Sequence, residues 1–125
     1  MQVLISADRM IRDIQEDFSR AYPYLKIEFF RNGSVRKERY PSSLLLPTHT
    51  RVRDAWTKLK SDGELSLDDN MSVADLENAF IDQFGLSVQV FRRSGNIWLE
   101  TTMTDRWTLR QQNDHGKEIS ETLGA

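Results

Sequence analysis

"LSVQVFRRSGNIWLETTM", residues 86–103, is two alternating apolar runs joined by a short polar turn. Leu86, Val88 and Val90 fall on one side of the first run, and Ile97, Leu99 and Met103 on one side of the second. Alternate residues of a strand face opposite ways, so the spacing predicts a β-hairpin turning at Ser94-Gly95-Asn96 with those six residues inward. Gln89, Phe91, Trp98 and Glu100 then point outward, flanked by Arg92 and Arg93.

Just upstream, Val73, Leu76, Phe80 and Phe84 recur at helical spacing. Ser72 with Asp75 three residues on is a capping-box pattern, and Gly85 is a stop, so a helix lies between them. "ELSL" at 64–67 supplies a strand before it. Downstream, "TDRWTLRQQNDHG" at 104–116 concentrates acid, indole, hydroxyl, amide and imidazole groups. The competing readings are an active site and the two ends of a helix. Thr108 with Gln111 forms a second capping box, Asp105 is another candidate cap, and Gly116 reads as a C-terminal stop. Trp107 reads as a buried anchor. A last strand, "KEIS", is expected at 117–120.

The first part of the chain has the same order of elements. "QVLIS" alternates; Ile11, Ile14, Phe18 and Ala21 form a helix face ending near Pro23; "YLKIEFF" alternates. "RNGS" is a turn leading into "SVRKERY", a charged return strand with Arg36, Lys37 and Arg39. "YPSSLLLPTHT" is a loop, with Leu44, Leu45 and Leu46 expected to tuck under the body. Val52, Ala55, Trp56 and Leu59 then suggest a helix stopping at Gly63, with Trp56 buried. Val3 and Leu65, Ile11 and Val73, Ile14 and Leu76, Phe18 and Phe80, and Gly33 and Gly95 are each 62 apart. "LKIEFFR" overlays "LSVQVFR" at an offset of 61, and Asp54-Ala55-Trp56-Thr57 echoes Asp105-Arg106-Trp107-Thr108 at 51. The expectation is one α+β domain over 1–125, built of two β-α-β-β-α pseudo-repeats, 1–62 and 63–125. Its sheet is ferredoxin-like or related, with helices on one face. The order of elements leaves open whether one sheet forms or two.

With 38% hydrophobic and 29% charged residues, the 125-residue chain can bury a core and keep a solvated surface. It has no cysteine, which excludes disulfides, thiolate catalysis and Cys-ligated zinc. The N-terminus lacks a signal-peptide pattern and no apolar run is long enough for a span, so a cytoplasmic location without membrane contact is expected. Residues 31–60 hold eight bases against two acids (+6), while 61–85 hold seven acids and no base (−7). Such blocks either dock on each other, within one chain or in a homodimer, or leave the basic side for an acidic partner.

Candidate chemistry is sparse. His49 and His115 have no close acidic spacing and make a poor metal pattern, and His115 suits a helix C-terminus as a cation. Asp68-Asp69 lacks the spacing of a calcium loop. No phosphate loop or nucleophile elbow is present. No catalytic, cofactor-binding or metal residue is therefore assigned. "GLSVQVFRRSGNIWLETTMTDRWTL" resembles a segment of small bacterial proteins of unassigned function, over about the last third of the chain. That resemblance implies a complete stand-alone protein and no particular activity.

Functionally the sequence favours a non-catalytic module binding another protein. Single-stranded RNA held on a sheet face is the second reading, and a small-molecule enzyme the third. Aromatic side chains flanked by arginines suit base stacking, but the sequence pI of about 5.7 does not suit a nucleic-acid-binding domain. The interaction surface is expected at Arg36, Lys37, Arg39, Phe91, Arg92, Arg93 and Trp98.

Overall fold

The computed structural model describes residues 1–31, 42–55 and 62–124. The elements run β1 (Gln2–Ile5), α1 (Ile11–Ala21), β2 (Leu25–Phe30), a short α2 (Val52–Ala55), β3 (Gly63–Ser66), α3 (Val73–Phe84), β4 (Ser87–Ser94), β5 (Ile97–Glu100) and α4 (Leu109–Gly124). This is an α+β fold whose strands divide between two antiparallel sheets, β1-β3 and β2-β4-β5. The "SVRKERY" segment and Trp56 lie outside the described residues.

The alternation read from the sequence is what builds the three-stranded sheet. Ile27 opposes Val90 and Phe29 opposes Val88, all four buried on the face that receives the helices. α1 lies along β2, while α3 and α4 lie along β4. Ile11, Ile14 and Phe18 of α1 and Val73, Leu76 and Phe80 of α3 fill the core between. Phe80 meets Phe29 edge-on, with ring centroids 5.8 Å apart, a favourable quadrupole arrangement.

The helix signals at α3 stand as read. Ser72 Oγ accepts from the Asp75 N–H at 3.0 Å, and the Asp75 carboxylate accepts from the Ser72 N–H at 3.4 Å. Gly85 ends the helix at φ 63°, in the left-handed region where a Cβ is penalised. At α1, Met10 occupies the corresponding position. Asp13 still accepts the Met10 N–H at 2.9 Å, but methionine offers no oxygen for the forward half of the box.

The two halves make matching backbone bonds. Ile11 and Arg12 donate to the carbonyls of Thr50 and Thr48; Val73 and Ala74 donate to those of Trp107 and Asp105. In return Val52 and Arg53 donate to Arg9 and Ala7, and Leu109 and Arg110 donate to Met71 and Asp69. The α1 and α3 members of these pairs are 62 residues apart, but the α2 and α4 members are 57 apart. The Asp-x-Trp-Thr echo at 51 is therefore not the correspondence these bonds make. In the shorter sheet Val3 faces Leu65 directly across the ladder.

Several expectations fail, most of them in the last quarter. Gly116 does not stop a helix: α4 runs through it to Gly124 and includes 117–120, which the sequence suggested as a strand. The reason is space. A Cβ on Gly116 would sit 3.0 Å from both Arg92 Cγ and Tyr24 Cβ and 3.3 Å from the Arg93 carbonyl oxygen. Glycine lets α4 lie close to the sheet here, and no left-handed turn is involved. Gly63 likewise opens β3. Trp107 is 37% exposed because it precedes the cap residue and lies outside the helix, its ring edge-on to His115. Of the leucines in the loop, Leu46 is buried, but Leu45 is exposed while its backbone bridges to Phe30.

Candidate functional site

Candidate protein-binding edge. β4 changes character along its length. Ser87–Val90 are buried on both faces, whereas Phe91–Ser94 are not. Two side chains meet the strand at the boundary. Glu77 of α3 is 4% exposed, and its Oε2 accepts the Val90 N–H at 3.0 Å. The Thr101 hydroxyl donates to the Val90 carbonyl at 2.8 Å. Together they occupy the polar groups of β4 at Val90, so β5 begins to pair only from Phe91 onward.

All four residues of β5 are exposed. Ile97 is 59%, Trp98 38% and Leu99 39% exposed, and Met103 just beyond is 96% exposed. The sequence placed Ile97, Leu99 and Met103 inward. Ile97 and Leu99 do share a face, but it extends past the helices that cover β2 and β4; Met103 shares no face with them, because β5 ends at Glu100 and Met103 lies in a 3-10 turn over Thr102–Thr104. Trp107 joins this end of the molecule: the Arg92 guanidinium lies 5.7 Å from its ring, and Leu99 is the cross-strand partner of Arg92. Among the described residues no strand pairs with the outer edge of β5. Single exposed apolar residues are ordinary on a surface, but clustered ones mark contact sites.

The residues expected to form the interaction surface are split. Phe91 and Trp98 are on one face, diagonal to each other across the β4–β5 ladder, where Phe91 opposes Glu100 and Trp98 opposes Arg93. Lys26 Nζ lies 5.6 Å from the Phe91 ring centroid and 5.0 Å from that of Trp98, a cation–π contact with both. Arg93 is on the same face, and its Nε donates to the Gly95 carbonyl at 2.9 Å. Arg92 is on the opposite face, where its guanidinium donates to Gln112 of α4 at 2.6 Å. Burial lowers its pKa from the ordinary arginine value. Arg36, Lys37 and Arg39 lie outside the described residues. The lysine over both rings means that a stacking base would have to displace it, and Arg92 is turned away from that face.

The chemical-looking stretch 104–116 is built into the helix start. Gln111 N–H donates to Thr108 Oγ1 at 3.1 Å, and the Gln111 side chain accepts the Thr108 N–H at 2.8 Å. Gln112 is fully buried and donates to Thr104, and Asn113 accepts the Tyr24 N–H. His115 is in mid-helix, not at a C-terminus.

A concavity of about 480 Å³ is lined by Met1, Ala21, Tyr22, Leu67, Asp68, Asp69 and Asn70. Tyr22 donates its hydroxyl to Asp69 at 2.8 Å, and Arg110 lies 3.7 Å from the other oxygen of that carboxylate. Burial, with the neighbouring carboxylate, pushes the Tyr22 pKa well above the ordinary phenol value. Asp68 accepts the Asn70 N–H, as turn aspartates do. Among the described residues no three His, Asp or Glu side chains form a group able to hold a metal ion. No helix among them is long and apolar enough to cross a membrane. No family model, curated protein or solved structure matches the chain.

Proposed function

We propose that this chain is a non-catalytic module that binds another protein along the outer side of β5. One observation carries the reading: an edge strand presents Ile97, Trp98 and Leu99 together, with Met103 beside it. An edge offers a row of backbone donors and acceptors that an added strand can pair with, and alternate side chains give selectivity. The cation–π stack of Lys26 on Phe91 and Trp98 stiffens the adjoining face. The absence of cysteine suits a cytoplasmic setting for such a module.

The test is capture from native, nuclease-treated lysate by the wild-type chain and by an Ile97→Ser, Trp98→Ala, Leu99→Ser variant. The expected result is protein capture that survives nuclease and is lost in the variant. Capture abolished by nuclease would support the RNA reading. Capture equal for both chains would remove β5 as the contact.

We also propose that the halves are pseudo-repeats. The matched backbone bonds of α1 with α2 and of α3 with α4 support this, as does the pairing of Val3 with Leu65.

A further inference from the structure

We infer that the face of the β4–β5 hairpin that carries Arg92, Leu99 and Ile97 takes an acidic segment of another protein, with a carboxylate on the Arg92 guanidinium and flanking aliphatic side chains on Leu99 and Ile97. The inference rests on the protein-binding reading above and names the chemistry of the partner.

The first argument is how the guanidinium is held. Gln112 is fully buried, and its Nε2 donates to both the carbonyl and the hydroxyl of Thr104, at 2.7 and 2.9 Å. With the amide fixed at that end, Oε1 is left to accept from Arg92 Nη1 at 2.6 Å. Gly116 has no side chain to push away the Arg92 stem, whose Cγ would lie 3.0 Å from a Cβ there. The Trp107 ring centroid stands 5.7 Å from the guanidinium carbon. An arginine fixed in this way has little rotamer entropy left to lose when a ligand binds.

The second argument is charge. The Gln112 amide and the Trp107 indole are both neutral, and among the described residues no carboxylate pairs with Arg92. Other arginines have one: Arg9 meets Asp17 at 3.0 Å, and Arg110 meets Asp69 at 3.7 Å. Burial lowers the Arg92 pKa, with no carboxylate raising it in return. A half-buried cation without a counter-ion has lost water and gained no opposite charge in exchange. Gln112 takes one of its N–H groups, and the planar fork that remains matches a carboxylate.

The third argument is the surroundings. Leu99 opposes Arg92 across the ladder and Ile97 opposes Ser94, so both lie on the Arg92 face, and both are exposed. A free inorganic anion would meet the guanidinium and leave these two side chains wet. An acidic residue flanked by aliphatic ones neutralises the cation and covers both. A nucleic acid would also bring anions, but the Phe91 and Trp98 rings that could stack its bases are on the opposite face, under Lys26.

The experiment pans random-sequence peptides displayed on phage against the purified full chain. Arg92→Met, which keeps an unbranched stem against α4 and removes the charge, is panned in parallel. The expected result is enrichment of peptides with Asp or Glu beside Leu, Ile or Val on the wild type and not on the variant. The leading peptide is then synthesised with its acid and with the corresponding amide, and each is titrated into the isotope-labelled chain by NMR. The acid form should shift the Arg92 Nε–H and Trp107 indole N–H signals, and the amide form should bind about tenfold more weakly. Arg92→Met should bind the two forms alike. Should that variant melt early, Arg92→Lys replaces it. It keeps the charge and loses the fork, so it should bind the acid form more weakly than the wild type does while still preferring it to the amide. Enrichment without acidic residues, no enrichment, or equal affinity of acid and amide forms for the wild type overturns the inference. So does inorganic phosphate or a uridine oligonucleotide that shifts the same signals at lower concentration than the acid peptide. If the peptides fail yet lysate capture still depends on Ile97, Trp98 and Leu99, only the acidic partner is wrong. If that capture is also indifferent to β5, the protein-binding reading falls with it.

Discussion

The two ends of β4 have the same kind of sequence and opposite surroundings. Ser87-Val88-Gln89-Val90 alternates polar and apolar residues, and all four are buried. Phe91-Arg92-Arg93-Ser94 continues the strand into the hairpin with β5, whose residues are all exposed. The first end is covered because α3 packs over it beside α1 on β2 and Glu77 meets its open edge at Val90. The second end lies past Glu77; it is paired with β2 and β5, and of the helices α4 reaches it, through Gln112 on Arg92 and Ser120 on Gly95. Alternation thus specifies which residues share a face, whereas neighbouring elements decide whether that face is wet.

The contrast breaks first, if it is wrong, on core truncation. Phe80→Ala beneath the buried end should cost about 3–5 kcal/mol in urea unfolding, and Trp98→Ala at the open end under about 1 kcal/mol. Equal losses would mean that the two ends are not energetically distinct. Next is the carboxylate that separates them. Glu77→Ala leaves the Val90 N–H buried without this acceptor, and about 1–3 kcal/mol of stability should be lost. Hydrogen exchange at Val90 should quicken more than at Arg92.

A smaller effect is expected at the start of the helix that holds the open end. Thr108→Ala removes one half of a formed capping box and should lower stability by about 1 kcal/mol, measured as a drop in melting temperature without loss of helical signal. Tyr22 tests the buried side by pH. Its folded-state pKa is raised, so its contribution is whole below the unfolded phenol value of about 10 and is lost as pH rises beyond it. Tyr22→Phe should therefore flatten the alkaline fall in stability above about pH 10. An unchanged profile would show that Tyr22 does not cause that fall. The smallest change is expected for Ile97→Ser, within about 0.5 kcal/mol for the unassociated chain. A larger loss would show that β5 is packed more tightly than its exposure suggests.

Local signals in the sequence were legible wherever one side chain acts on its own backbone. Ser72 with Asp75, Thr108 with Gln111, and Gly85 could each be read because a cap is made within four residues. The faces of α1, α3, β2 and β4 were legible from their periods. Trp107 was misread because a large aromatic ring suggests burial, although its place before the cap keeps it outside the helix. Ile97 and Leu99 were misread because periodicity reports a shared face and carries no information on what covers it, and Met103 because the strand ends at Glu100, before the period reaches it. Glu77 as a buried acceptor for Val90 was missed: its surface-like charge gave no sign that the β5 ladder would stop there. Within the expected surface, parity along β4 alone separates Arg92 from Phe91 and Arg93, a distinction the sequence reading did not draw.

Gly116 sets the position of α4 along its own axis. The helix touches the sheet where it has no side chain, and it is held on either side of that point by Gln112 and Ser120. A shift by one turn in either direction would bring a residue with a Cβ into the gap now occupied by Gly116 and part both hydrogen bonds. The helix is therefore indexed, like a key with a single notch. Loosening the hairpin turn at Gly95 would part it from Ser120 alone, while Gln112 on Arg92, Asn113 on Tyr24 and the backbone bonds of Leu109 and Arg110 would keep the first half of α4 in register.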